Sequence, residues 1–192
     1  MPTASAAWER PVIADAPTLE DIEAGVYVIP TDAPEADGTL AWNETTVVLV
    51  TARAGSELGI GWTYAAAAAG AIVTDLLAGA VLGRSAFDVA GATEAMARAV
   101  RNIGRCGVAA MAISAVDVAL WDLKARLLGL PVAELLGRVR QHAPAYGSGG
   151  FTSYDEHQTR EQLSGWVEQD RIPRVKIKIG RASCRERVYS SV

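Results

Sequence analysis

The sequence predicts an α+β chain: a three-stranded antiparallel sheet with a helical block, then one strand–helix–strand unit of an unfinished parallel sheet. Three observations predict it. The β-branched run Thr45-Thr46-Val47-Val48-Leu49-Val50-Thr51 is followed, across the turn formers Ala54-Gly55-Ser56-Glu57, by Leu58–Tyr64. From Ala65 the apolar period changes from two to helical spacing. Near the end, a helical stretch is followed by the strict alternation Arg174-Val175-Lys176-Ile177-Lys178-Ile179.

Taken in order, residues 1–20 read as a mobile leader. Val26-Tyr27-Val28-Ile29 is a short strand ending at Pro30, and Thr31–Gly38 is a loop dense in turn formers. The sheet is expected over about 25–64. Helices are expected over Ala65–Ala80, Asp88–Arg101 and Val108–Leu128. The last presents Met111, Ala115, Val118, Ala119 and Leu123 as one apolar stripe, and stops at Gly129 with Pro131 beyond. A short helix, Val132–Leu136, ends at Gly137. Ala143–Ser148 is extended, Tyr154–Gln169 is helical, and the strand from Arg174 closes a βαβ unit. A parallel pair must be covered on both faces and extended sideways, and the sequence is expected to supply nothing to extend it.

Composition narrows the function. Of 192 residues, 50% are hydrophobic and 21% charged, which are globular values. The net charge of −4 advertises no basic surface for nucleic acid or anionic membrane. Two cysteines, Cys106 and Cys184, cannot build a disulfide framework. The apolar stretch Trp62–Leu82 carries Asp75 and many alanines, and reads as a helix of a soluble, cytoplasmic protein rather than a span. Residues 179–192 have no hydrophobic period and resemble a translated sequencing adapter. They read as a non-native tail whose Arg181, Arg185 and Arg187 mask a more acidic chain.

The candidate chemistry lies in Lys176 and Lys178. Residues i and i+2 of a strand project to one side, so the two ammonium groups point together while Val175 and Ile177 point away. An exposed edge strand uses lysines in the same way to discourage aggregation. Inside a barrel, like charge and desolvation would both lower a lysine pKa and suit it to general-base work. Elsewhere the signals are plainer. His142 and His157 lack metal-ligand spacing. Asp117 and Asp122, five residues apart on one helix, face different ways. Gly147-Ser148-Gly149-Gly150 lacks the Gly-Lys-Ser/Thr ending of a phosphate loop. Cys106 reads as structural, and Trp42, Trp62 and Tyr64 as core or pocket lining.

The helical block Ala112–Arg126, with Gly129-Leu130-Pro131-Val132 and Leu135-Leu136-Gly137, closely resembles the enolase superfamily, mandelate racemase / muconate lactonizing enzyme subgroup. Thr31–Thr39 with Thr45-Thr46 and Gly59-Ile60-Gly61 resembles the start of its capping domain. Val175-Lys176-Ile177-Lys178 is similar to its Lys-x-Lys motif on the second barrel strand. The resemblance implies an α+β capping domain over 21–137 and the first βαβ unit of an incomplete (β/α) TIM-type barrel over 138–178. It implies Lys178 as the base that removes a proton α to a carboxylate, and Lys176 as the group that lowers that base's pKa and neutralises the carboxylate. Ser148, Trp42 and Tyr64 would bind substrate, with loops near 30–44 and 62–68 setting specificity. The substrate would be a hydroxy acid or acid sugar, the reaction racemisation or dehydration, the cofactor Mg²⁺, and the assembly a homo-oligomer. The family's metal ligands would fall beyond Lys178, so this chain is expected to be inactive alone. The alternative is a non-catalytic capping-type module for binding or oligomerisation.

Overall fold

The computed structural model describes residues 16–178, 180 and 187–190. Residues 1–15 of the expected leader, and residues 179, 181–186, 191 and 192 of the expected non-native tail, lie outside the described residues. Two compact units divide the chain: the residues up to Val26 with Val47–Leu136, and Tyr27–Thr46 with the residues from Gly137 onward. The outer half of the first hairpin thus groups with the second unit, whereas the expected boundary fell only at 137/138.

Strands β1 (Asp21–Ala36), β2 (Ala41–Ala54) and β3 (Glu57–Tyr64) form one sheet in the order β1-β2-β3. β1 corrects the expected strand end at Pro30 and the loop over 31–38, because it runs straight through Pro30 and Pro34. The reason lies in the strand order. β1 is an edge strand, and there a proline forfeits no ladder bond to a second neighbour. The expected leader is corrected at its end too: Leu19 is buried, and its N–H donates to the Arg84 carbonyl at 2.8 Å. Between β2 and β3 the register Ala54↔Glu57 leaves a two-residue loop. Gly55 takes a positive φ of 59° at its first position, where a type II′ turn needs glycine.

Helix α1 comprises Ala68–Ile72, a π-type turn at Val73–Leu77, and Ala78–Val81. Helix α2 (Val89–Ala99) starts where the Asp88 carboxylate accepts the Gly91 N–H at 3.0 Å. Helix α3 (Val108–Leu127) ends as its sequence requires: Gly129 has φ 65°, its N–H donates to Arg126, and the Leu130 N–H donates to Ala125. That pairing is a Schellman stop. The buried face of α3 is Ala112, Ala115, Val116, Ala119, Leu120 and Leu123, while Met111 and Val118 are exposed. The expected stripe was therefore rotated. β3 sets the rotation, because its inward positions are glycines and the helix must bring small residues to them.

The glycines of β3 pack directly on α3. On β3, Gly59 and Gly61 are buried and alternate with exposed Leu58, Ile60, Trp62 and Tyr64. A Cβ on Gly61 would overlap the backbone of Ala115 and Ala119, and one on Gly59 the backbone of Ala119 and Leu123. Strand and helix backbones touch directly. The Asp122 carboxylate accepts the edge N–H of Ile60 at 2.9 Å and pairs with Arg126, and Asp117 accepts from Thr93. Both aspartates serve packing. Cys106, expected to be structural, is exposed.

In the second unit, after the short helix α4 (Val132–Leu135), β4 (Gly147–Gly149) and β5 (Arg174–Ile177) pair in parallel. They are joined by α5, which comprises Glu156–Ser164 and a π-type turn at Gly165–Gln169. α5 opens on a capping box between Asp155 and Gln158, a sequence signature of a helix start. Gly147 and Gly149 lie against Trp166 and Gln162 of α5 with no room for a Cβ. This is the strand–helix–strand unit that opens a (β/α) barrel. A further strand, β6 (Arg187–Ser190), pairs antiparallel along the other edge of β5. The expectation that nothing extends this sheet is therefore corrected. A parallel pair with an open edge recruits whatever strand-competent chain lies within reach.

Candidate functional site

The parallel register places Ser148 opposite Lys176, flanked by Gly147↔Val175 and Gly149↔Ile177. Paired residues of neighbouring strands share a face, so Ser148 of β4 and Lys176 of β5 stand on one side, and Tyr146, just before β4, meets Lys176 there. Gly147 and Gly149 stand on the other, against α5. The Lys176 Nζ lies 5.5 Å from the centroid of the Tyr146 ring, within cation–π range. Lys178 follows two residues on, and its N–H is shared between the carbonyls of Gly149 and Gly150 at 3.3 and 3.1 Å. Gly150 accepts that bond with φ 57°, and its own N–H is taken by the Gln162 side chain at 2.9 Å. The chain leaving β4 is thereby fixed beside the end of β5. Ser148 is exposed and both lysines are half-buried.

The hairpin tip between β1 and β2 belongs to this unit. Its turn is built by Asp37, whose carboxylate accepts the Thr39 N–H at 2.7 Å, the Thr39 hydroxyl at 2.8 Å and the Leu40 N–H at 2.9 Å. The Leu40 N–H first, then the Thr39 N–H and hydroxyl, hold the Asp37 carboxyl below its ordinary 3.8, and the Lys178 ammonium adds a smaller pull. A depressed carboxyl pKa means that the turn's stabilisation is complete above pH 3.8 and is lost as pH falls through the lower folded value. The amide resonances of Thr39 and Leu40 are accordingly expected to hold steady from about pH 7 to about pH 4 and to move only below. Movement centred above about pH 4 would contradict this. An open cavity of about 310 Å³ lies at the tip, lined by Asp37, Thr39, Leu40 and Thr152 among others.

The candidate binding residues divide. Trp42 lies in this unit, half-buried, with its indole N–H donated to Glu35 at 2.8 Å and its ring edge-on to Phe151 at 5.8 Å. It is engaged in holding the tip. Tyr64 closes β3 in the first unit, where it and Trp62 are 63% and 60% exposed, so neither is core. Tyr146 is not among the expected site residues, because its partner Lys176 is 30 residues away in sequence and only the β4–β5 pairing brings them together. Among the described residues no three of His, Cys, Asp and Glu come together as a group that could hold a metal ion. The described residues do not fit Mg²⁺. Among them, no helix is long and apolar enough to cross a membrane.

Residues 26–137 match the family described as mandelate racemase / muconate lactonizing enzyme, N-terminal domain. L-talarate/galactarate dehydratase of Salmonella typhimurium is 30% identical over 95% of this chain and 48% of its own length. Its crystal structure liganded with Mg and L-lyxarohydroxamate aligns with a TM-score of 0.81 at 26% identity, over 94% of this chain and 49% of that one. Chloromuconate cycloisomerase of Cupriavidus pinatubonensis is 32% identical over 84% of this chain and 45% of its own. A mandelate racemase/muconate lactonizing enzyme-like protein from Rubrobacter xylanophilus has a TM-score of 0.83 at 52% identity, over 86% of this chain and 46% of that chain. The chain spans about half the length of the curated relatives it matches.

Proposed function

We infer, because this chain belongs to the mandelate racemase / muconate lactonizing enzyme family, that the whole protein removes the proton α to the carboxylate of a hydroxy acid or acid sugar. The observation that carries the reading is the common face of Ser148 and Lys176 in the β4–β5 register, with Lys178 just past the end of β5. In this reading Lys178 is the general base. A base must stand within hydrogen-bond reach of the proton it takes, and the end of a barrel strand is where such folds present their reacting groups.

Lys176 supplies positive charge to the substrate carboxylate and to the enediolate left when the α-proton departs. The Tyr146 ring holds the Lys176 ammonium on the same side. The Ser148 hydroxyl, exposed and level with Lys176, orients a substrate oxygen. Collapse of the enediolate by reprotonation gives racemisation, and loss of a β-hydroxyl gives dehydration.

Mg²⁺ belongs to the whole enzyme in this proposal, by analogy with the Mg-liganded dehydratase. Because the described residues do not fit it, the chain of 192 residues is expected to turn over no substrate. The whole protein is expected to be a cytoplasmic homo-oligomer. The test is deuterium exchange at the α-carbon across a panel of acid sugars and hydroxy acids, using the protein extended to the length of its relatives. Exchange on at least one acid supports the reading, and none on any would overturn it.

A further inference from the structure

We propose that Thr152 and Ser153 are positioning residues that latch the hairpin tip to the chain leaving β4, so that the tip is a fixed wall of the site rather than a free flap. The inference rests on the reading that the β4–β5 strand ends form the site. Three hydrogen bonds carry it, all joining residues far apart in sequence. The Thr152 N–H donates to the Ala36 carbonyl at 3.0 Å, the Thr152 hydroxyl to the Asp37 carbonyl at 3.1 Å, and the Ser153 hydroxyl to the Pro34 carbonyl at 2.6 Å.

The acceptors make the latch specific. Pro34, Ala36 and Asp37 are the last residues of an edge strand and the first of its turn, where carbonyls are left without a ladder partner. Two short hydroxyl side chains and one N–H take up three of them in succession. Beside these bonds runs an aromatic ladder. Trp42 meets Phe151 edge-on at 5.8 Å, and Phe151 meets Tyr154 at 5.4 Å. The Trp42–Glu35 bond ties the two strands of the tip together at the same level.

The arrangement has a purpose for the reaction. The chain that bears Thr152 and Ser153 leaves β4 just after Gly149 and Gly150, whose carbonyls hold the Lys178 N–H. The latch therefore ties the wall that meets the substrate to the backbone that positions the base. Substrate selection by the tip then depends on Thr152 and Ser153 through the hydrogen bonds by which they hold it.

The test is hydrogen–deuterium exchange on the full chain, wild type against the double variant Thr152→Val with Ser153→Ala. Losing two hydroxyl bonds is expected to speed exchange of peptides from 31–42 by about tenfold. Peptides from 108–127 should keep their protection, which controls for global unfolding. The conservative pair Thr152→Ser with Ser153→Thr keeps both hydroxyls and should restore slow exchange. Unchanged exchange at 31–42, an equal rise at 108–127, or no rescue by the conservative pair would each overturn the latch. The two readings fail separately: a catalytically silent Lys178 would leave this hydrogen–deuterium pattern intact, and unchanged hydrogen–deuterium exchange in the double variant would leave the role of Lys178 as base untouched.

Discussion

Replacing Gly61 by Val is expected to cost about 3 kcal/mol of stability or more, enough to unfold much of the first unit at ordinary temperature. The added Cβ would overlap the backbone of Ala115 and Ala119. Neither partner can move aside. Ala115 and Ala119 lie in the middle of α3, with both side chains wholly buried. β3 is held by its ladder to β2 from Val47↔Tyr64 to Ala54↔Glu57. The helix would have to lift off the sheet, opening the core around Val48, Val50, Leu120 and Leu123. Urea denaturation should show the midpoint falling by roughly 1–3 M with little change in slope. Gly79→Ala is the matched control. It sits in α1, where an added Cβ meets nothing within 4 Å, and helix propensity makes it neutral or stabilising by up to about 1 kcal/mol. Equal midpoints for Gly61→Val and wild type would refute direct backbone packing.

In the protein extended to the length of its relatives, Lys178→Ala is expected to lower α-proton exchange by about 10³-fold, within the range that a positioned general base supplies. The lysine is half-buried at a strand end and its backbone is pinned by Gly149 and Gly150. Truncation therefore removes a reacting group without loosening the frame that holds it. Lys176→Ala should act differently, raising KM through the lost carboxylate partner as well as lowering kcat. The β4–β5 ladder is made by backbone groups, so both variants should fold like the wild type. If exchange survives in Lys178→Ala, the base has been misassigned or a second base acts on the opposite face.

Much of this fold can be read directly from residues. The helix stop at Gly129, the cap at Asp88 and the box at Asp155 and Gln158 all follow from local chemistry. The errors share one cause, which is tertiary context. Pro30 and Pro34 argue against a strand until the strand proves to be an edge. The apolar stripe of α3 was misplaced because the glycines of β3, far away in sequence, decide which alanines are buried. The hairpin tip could not be assigned to the second unit, because its partners Thr152 and Ser153 are remote in sequence and carry no periodic signal. The Lys-x-Lys spacing carried no sign of a neighbour strand, which only the register of Lys176 with Ser148 supplied.

The described residues carry the proposed base and no group of three His, Cys, Asp or Glu that could hold a metal ion. Isothermal titration of Mg²⁺ into the chain of 192 residues tests this claim most directly, alongside the extended protein as a positive control. The expected result is no saturable heat for the chain and one-site binding for the extended protein. Tight, stoichiometric Mg²⁺ binding by the 192 residues alone would contradict the claim.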